Sequence, residues 1–324
     1  MIISRTPFRV SFVGGGTDLP SFYTREAGAV ISTTIDKYVY ITVNRRFDST
    51  LRVSYSQTEI VDRVEGIHHP LFRETMKETG VDSGIEVTSI ADVPSGTGLG
   101  SSSSFTVGLF HALRAFGGRF QTAADLAEQA CRLEIDCLKE PIGKQDQYAA
   151  AFGGLRRYIF NADNTVFVDP VICSAETRAN LFGHLLLFYL GGTRNASDIL
   201  QEQSNLTDQK MEHLRKLRGL VDRFWDVLTR KTDLREIGEL LHDGWECKKH
   251  LACKISNASI DEYYDRARRA GSLGGKVLGA GSSGFLLLFC EPVKMGHVRE
   301  SLRDLREIGF RYEPEGSKII YVGS

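Results

Sequence analysis

The 324-residue chain has no long apolar run. Its longest wholly apolar stretches, Leu185 to Leu190 and Phe285 to Cys290, fall far short of the ~20 residues that a membrane-spanning helix takes. The opening MIISRTPFRV lacks the apolar segment of a secretory signal, so a cytoplasmic protein with no membrane partner is expected. Neither sign of charge dominates. A formal net charge of −1 and a pI near 6.7 give no footprint for nucleic acid, which leaves a small molecule as the expected partner. The six cysteines include no CxxC pair and no disulfide framework is expected. Cys247, His250 and Cys253, three residues apart, run around a helix rather than forming a zinc knuckle, and are read as structural. No repeat, low-complexity tract or Pro-rich linker divides the chain. Two common phosphate-binding signatures are also missing. GxxxxGK[ST] fails because Ser101 follows Gly100, and GxGxxG fails because Gly96 and Gly98 are followed two places later by Gly100.

A different glycine-rich run stands in their place, PSGTGLGSSSS at residues 94 to 104. Upstream, Gly84 to Ile90 alternates apolar and polar residues through Val87, as a half-buried strand does. Downstream, Phe105, Leu109, Leu113 and Phe116 recur at helical spacing. The run is therefore a strand-to-helix turn. There the first N–H groups of the helix lack intrahelical partners and the helix dipole is positive, so an anion is attracted. Glycines let the backbone approach a phosphate, and the serines can cap the helix or offer a hydroxyl to a metal. A structural tight turn is the plainer alternative.

Three further segments bear on chemistry. In RTPFRVSFVGGGTDLP, residues 5 to 20, a strand carrying Phe8, Val10 and Phe12 ends in three glycines and presents Asp18, which could equally be a solvated turn residue. In PIGKQDQYAAAFGG, residues 141 to 154, Pro141 and Gly143 disfavour helix, and a helix beginning near Gln147 places Asp146 at its N-terminus as a reactive or a capping carboxylate. In LGGKVLGAGSSGFLLLF, residues 273 to 289, a glycine-rich turn feeds an apolar strand. The helix from Leu126 to Lys139 adds a carboxylate. On a wheel of 100° per residue, Glu134 falls at about 80°, inside the sector held by Leu126, Ala127, Ala130, Leu133, Cys137 and Leu138. A carboxylate on the core side needs a cation or donors, so a magnesium ion or a buried salt bridge is expected beside it.

A junction is expected near residues 175 to 184, where polar Ser174 to Asn180 precedes the apolar strand Leu185 to Tyr189. Beyond it, Met211, Leu214, Leu217, Val221, Phe224 and Leu228 form one apolar helical stripe, and Leu234 to Leu251 reads as another helix. The tail reads as strand, helix and strand, ending at Ile319 to Val322, so the second half is expected to be α+β.

Together the segments resemble the GHMP kinase superfamily, which includes galactokinase, homoserine kinase and mevalonate kinase. PSGTGLGSSSS is similar to its motif PxGxGLGSS, RTPFRVSFVGGGTD to its N-terminal motif, and KVLGAGSSGF to its C-terminal glycine motif. Within it, RVSFVGGGTDLP, TTIDKYVYI, SIADVPSGTGLGSSSSFTVGL and GKQDQYAAAFGG resemble the D-glycero-D-manno-heptose 7-phosphate kinases of bacterial surface-sugar pathways. The resemblance implies an α+β, two-domain GHMP kinase fold. Residues 1–180 would be the N-terminal domain, of the type first known from a ribosomal protein, and 181–324 a ferredoxin-like C-terminal domain, with the site between them.

It also implies ATP and Mg2+ as cofactors and phosphorylation of a sugar phosphate at the anomeric hydroxyl. Asp146 would be the general base and Arg9 its cation. Pro94, Gly96, Gly98, Leu99, Gly100, Ser101, Ser102 and Ser103 would hold the nucleotide, with Ser102 and Glu134 on the metal. Gly15, Gly16, Thr17, Asp18, Lys144, Gln147, Arg194 and Gly281 would meet the sugar, with Arg194 on its distal phosphate and Lys144 or Arg73 as substitutes. Galactokinases carry Glu-His where this chain has Gly15 and Gly16, which removes two side chains and leaves room for a larger sugar. A neutral-sugar kinase and a silent sugar or ATP sensor are the competing readings. A homodimer is allowed.

Overall fold

The computed structural model describes residues 1–192, 196–230 and 233–323. Its strands are β1 (Ile2–Val13), β2 (Gly28–Arg45), β3 (Leu51–Ser54), β4 (Thr58–Val61), β5 (Ile85–Ala91), β6 (Leu155–Phe160), β7 (Val166–Pro170), β8 (Leu185–Gly191), β9 (Ser272–Val277), β10 (Gly284–Cys290), β11 (Arg306–Glu307) and β12 (Lys318–Val322). The α-helices are α1 (Pro20–Tyr23), α2 (Pro70–Thr79), α3 (Ser101–Phe116), α4 (Ala123–Cys131), α5 (Gln145–Phe152), α6 (Ala175–Gly183), α7 (Ala196–Asn205), α8 (Thr207–Arg230), α9 (Arg235–Lys249), α10 (Ala258–Arg269) and α11 (Met295–Ser301). No helix among the described residues is long and apolar enough to cross a membrane.

The larger sheet runs β12-β1-β2-β5-β3-β4, with β6 on the other end of β2 and β7 beside β6. At 18 residues, β2 is long enough to pair with β6 through Gly28 to Thr33 and with β5 through Val39 to Arg45. Residues 6 to 13 of β1 are buried on both faces, because α3 packs on this strand and α8 and α9 also reach it. Phe12 stacks on Phe224 of α8 with ring centroids 5.1 Å apart, so the apolar stripe of α8 closes over the first sheet. The smaller sheet, β11-β8-β10-β9, is antiparallel, with α9 and α10 packed on β9.

Three expectations change. The tail is not one strand-helix-strand unit, since β12 leaves the second sheet and pairs antiparallel with β1, Ile2 opposite Val322. The polar stretch after Ser174 is helical: the Ser174 hydroxyl accepts from Thr177 N–H at 3.0 Å and caps α6. The helix carrying Glu134 is α-helical only to Cys131 and then widens into a π-helical turn, Arg132–Cys137, in which Leu138 N–H bonds to Leu133 O at 2.9 Å. Such turns recur at functional sites.

Candidate active site

One cavity of about 460 Å³ lies where the two sheets meet. Its walls come from the C-terminal half of β1, the loop to α1, the N-terminus of α3, the π-helical turn, α7, α9 and the turn after β9. Short-range glycine chemistry sets two of these walls. The backbone at Gly98 has φ +84°, and a Cβ there would lie 2.5 Å from Leu278 O. Only glycine lets the 94–104 turn close against the 278–281 turn at that point. Gly100, also left-handed, precedes α3 without any side-chain cap. The Ser101 hydroxyl instead accepts from Gly96 N–H at 3.2 Å and braces the turn, so of the two serine roles the sequence allowed, helix capping is not taken up.

Arg9 reaches this turn from β1. Its Nε donates to Asp146 Oδ1 at 2.7 Å, Nη2 donates to Oδ2 at 2.6 Å, and Nη1 donates to Gly98 O at 2.6 Å. Asp146 sits in the first turn of α5, but its carboxylate is held by Arg9 rather than spent as a helix cap. The two-point geometry fixes the orientation of the carboxylate as well as its distance.

Glu134 is 1% exposed. Its Oε1 accepts from Ser102 and Thr106 hydroxyls at 3.3 and 3.0 Å, and its Oε2 from Ser103 Oγ at 2.9 Å and Gln147 Nε2 at 2.5 Å. No Lys or Arg pairs with it among the described residues, so the salt-bridge alternative does not hold and a ring of neutral donors surrounds the carboxylate instead. Burial pushes its carboxyl up to about 7 against those donors. A carboxylate that is costly to ionise, beside the Ser102 hydroxyl, offers hard oxygen ligands to a magnesium ion. No cluster of three or more His, Cys, Asp or Glu able to hold a metal occurs among the described residues. A magnesium ion that takes its other ligands from phosphates and water does not require one.

Asp18 is 3% exposed, not solvated. Its Oδ1 accepts from Gly16 N–H at 2.8 Å, and a Cβ on Gly143 would collide with its Oδ2. Burial, and after it the charge of Asp146, holds its carboxyl above the usual range.

The cavity gathers Arg9, Gly15, Gly16, Asp18, Gly96, Gly98, Gly100, Ser101, Ser102, Ser103, Glu134, Asp146 and Gly281. Other candidates stand behind or beside it. Pro94 and Leu99 act through their backbones, accepting from Thr97 Oγ1 at 2.9 Å and from Arg9 N–H at 3.0 Å. The Thr17 hydroxyl is spent on Gly14 O and Ala29 O, and Gln147 supports Glu134. Lys144 turns away to Asn164 and the Tyr23 ring, and Arg73 to Glu74 and Ile67 O, and neither lines the cavity. Arg194 itself lies outside the described residues.

Two cavity cations have no counterpart in the sequence reading. Lys248 of α9 and Lys276 of β9 are 8% and 7% exposed. Lys248 Nζ donates to Gly279 O and Lys276 Nζ to Phe12 O at 2.9 Å, and neither meets a carboxylate within salt-bridge distance among the described residues. Burial, and then the charge of Arg9, lowers Lys248 to about 8, and burial, followed by the charge of Lys248, pushes Lys276 well below the usual lysine range. A signal for Lys248 was present: it follows Leu241 by seven residues and Trp245 by three, on the apolar face of α9.

A glycine turn at a helix N-terminus, a carboxylate oriented by a guanidinium and a cationic wall define a site built for phosphoryl transfer. The family model for the GHMP kinases N terminal domain matches residues 66–154, and that for the GHMP kinases C terminal domain matches residues 227–305, between them just over half the chain. The chain belongs to the GHMP kinases and is a phosphotransferase. It is 29% identical to a D-glycero-alpha-D-manno-heptose 7-phosphate kinase of Campylobacter jejuni over 98% of both chains, and 24% identical to a galactokinase of Pyrococcus furiosus over 94% of this chain and 93% of that one. The crystal structure of a D-glycero-D-manno-heptose 1-phosphate kinase from Bacteroides thetaiotaomicron superposes with a TM-score of 0.83 at 22% identity over the whole of both chains.

Proposed function

We propose that this enzyme is a sugar kinase that transfers the γ-phosphoryl group of ATP to the anomeric hydroxyl of D-glycero-D-manno-heptose 7-phosphate, giving the 1,7-bisphosphate for nucleotide-heptose and surface-polysaccharide synthesis. The observation that carries the reading is the two-point pair of Arg9 and Asp146 beside the glycine turn. Asp146 accepts the proton of the sugar hydroxyl, the freed oxygen bonds to the γ-phosphorus, and the bond to the β,γ-bridging oxygen breaks to release ADP. Arg9 holds Asp146 in position and offsets charge on the moving phosphoryl group. The backbone from Gly96 to Ser102 receives the triphosphate. Ser102 and Glu134 would hold Mg2+, which when bound neutralises phosphate charge.

The substrate's own phosphate needs a cation. Lys248, buried in the cavity wall without a carboxylate partner, is the contact we assign to it, with Lys276 behind. The similarity to the heptose 7-phosphate kinase supports the same substrate class. Coupled ADP-release assays with heptose 7-phosphate, its dephosphorylated form, L-fucose and D-galactose test the reading. Strong preference for the phosphorylated heptose is expected. Equal use of phosphorylated and dephosphorylated heptose returns the enzyme to the neutral-sugar kinases.

A further inference from the structure

Three buried polar atoms on the sugar side of the cavity have no hydrogen-bond partner among the described residues: Ser11 Oγ, Gln145 Oε1 and Gln203 Nε2. Leaving such an atom unpaired costs about 1–3 kcal/mol, so a protein retains it where something else completes the bond. The three come from different elements, β1, the start of α5 and α7, and converge on one place. A Cβ on Gly15 would lie 3.7 Å from Gln145 Nε2 and 3.8 Å from Ser11 Oγ, while one on Gly16, at φ +99°, would collide with Gln203 Nε2. The glycine pair therefore does not simply leave empty room. At Gly16 the missing side chain admits that of Gln203, while Gly15 borders Gln145 and Ser11 at ordinary contact distance.

We infer that Ser11, Gln145 and Gln203 form a subsite that reads the ring hydroxyls of the acceptor, an inference that rests on the acceptor being a sugar. An amide donor, an amide oxygen and a hydroxyl are the set that neighbouring secondary hydroxyls satisfy, since each hydroxyl both donates and accepts. The subsite adjoins the reacting groups rather than the triphosphate turn. Gln145 directly precedes Asp146, and Asp18 accepts from the Gly16 N–H beneath Gln203. Gln203 is 3% exposed and Ser11 5%, so water competes poorly for either.

The test uses the full-length enzyme with heptose 7-phosphate, L-fucose and D-galactose as probes. Gln203→Leu and Ser11→Ala are each expected to raise KM for the sugar that wild type prefers by about 10- to 100-fold, the worth of one buried hydrogen bond left unmade. KM for ATP should stay within about two-fold and thermal stability should hold, because the unpaired atom that is removed makes no hydrogen bond to the described residues. Gln203→Asn, which keeps the amide but withdraws it by one methylene, covers the case in which leucine does not fold, and the same rise is expected. A lowered melting temperature with sugar KM unmoved makes these residues structural and overturns the inference, as does an equal rise in both KM values. If wild type phosphorylates none of the three sugars, the sugar reading itself fails and takes the subsite with it. An active wild type with unmoved variants leaves the kinase assignment standing and removes the subsite alone.

Discussion

Arg9 and Asp146, 137 positions apart in the chain, form a two-point pair with Nε on Oδ1 and Nη2 on Oδ2, and the same guanidinium holds Gly98 O at 2.6 Å. One side chain thus ties the carboxylate to the glycine turn. Asp146→Asn preserves shape while removing the proton acceptor, so kcat should fall by about two to four orders of magnitude with KM for ATP little changed. Steady-state assay of the folded variant checks this, and activity within a few-fold of wild type removes Asp146 from the chemistry.

Glu134 couples folding to pH. Its carboxyl is raised from 4.5 to about 7, so the neutral form is favoured in the folded state, and the associated stability is present below about pH 4.5 and lost as pH rises through 7. The loss is at most about 3 kcal/mol. Wild type should lose up to that amount of stability relative to Glu134→Gln between pH 5 and 8, and Mg2+ with nucleotide should restore it for wild type alone. Thermal melts across pH, with and without the metal, measure both. A flat difference, unmoved by Mg2+, means that Glu134 neither titrates there nor binds the metal.

Lys248 titrates at the upper end. Lowered to about 8, it carries its charge below that pH and loses it above, so KM for the sugar phosphate should rise beyond pH 8. Lys248→Arg should move that rise to higher pH, and Lys248→Met should raise KM about 10- to 100-fold at pH 7 with KM for ATP unchanged. A fall in kcat without a change in sugar KM would place Lys248 on the transferring phosphoryl group instead.

Gly98→Ala puts a Cβ against Leu278 O at a left-handed backbone position. A cost of about 1–3 kcal/mol in stability and a raised KM for ATP are expected, read by chemical denaturation and kinetics. A variant as stable as wild type would mean that the two glycine turns do not depend on this close approach.

Local chemistry made much of this site readable. The glycine turn announces itself between an alternating strand and an amphipathic helix, and Glu134 stands out because a carboxylate on an apolar face demands partners. That signal survived the π-helical turn, since Ser102, Ser103, Thr106 and Gln147 all reach Glu134 from its core side. Lys248 and Gln203 carried the same mark, Lys248 on the Leu241–Trp245 face and Gln203 three residues after Leu200, but a lone Lys or Gln on a helix usually faces water. What β12 pairs with was not readable, because the partner of a short alternating strand is set by tertiary packing: Ile2 meets Val322 from the other end of the chain.

The position of the new phosphate tests the account most directly. Phosphorus NMR of the product made from heptose 7-phosphate and ATP should show two phosphate monoesters on one sugar, the new one coupled to the anomeric proton, formed one-for-one with ADP. A new phosphate coupled to any other ring proton, or ADP released without a bisphosphate, would contradict it.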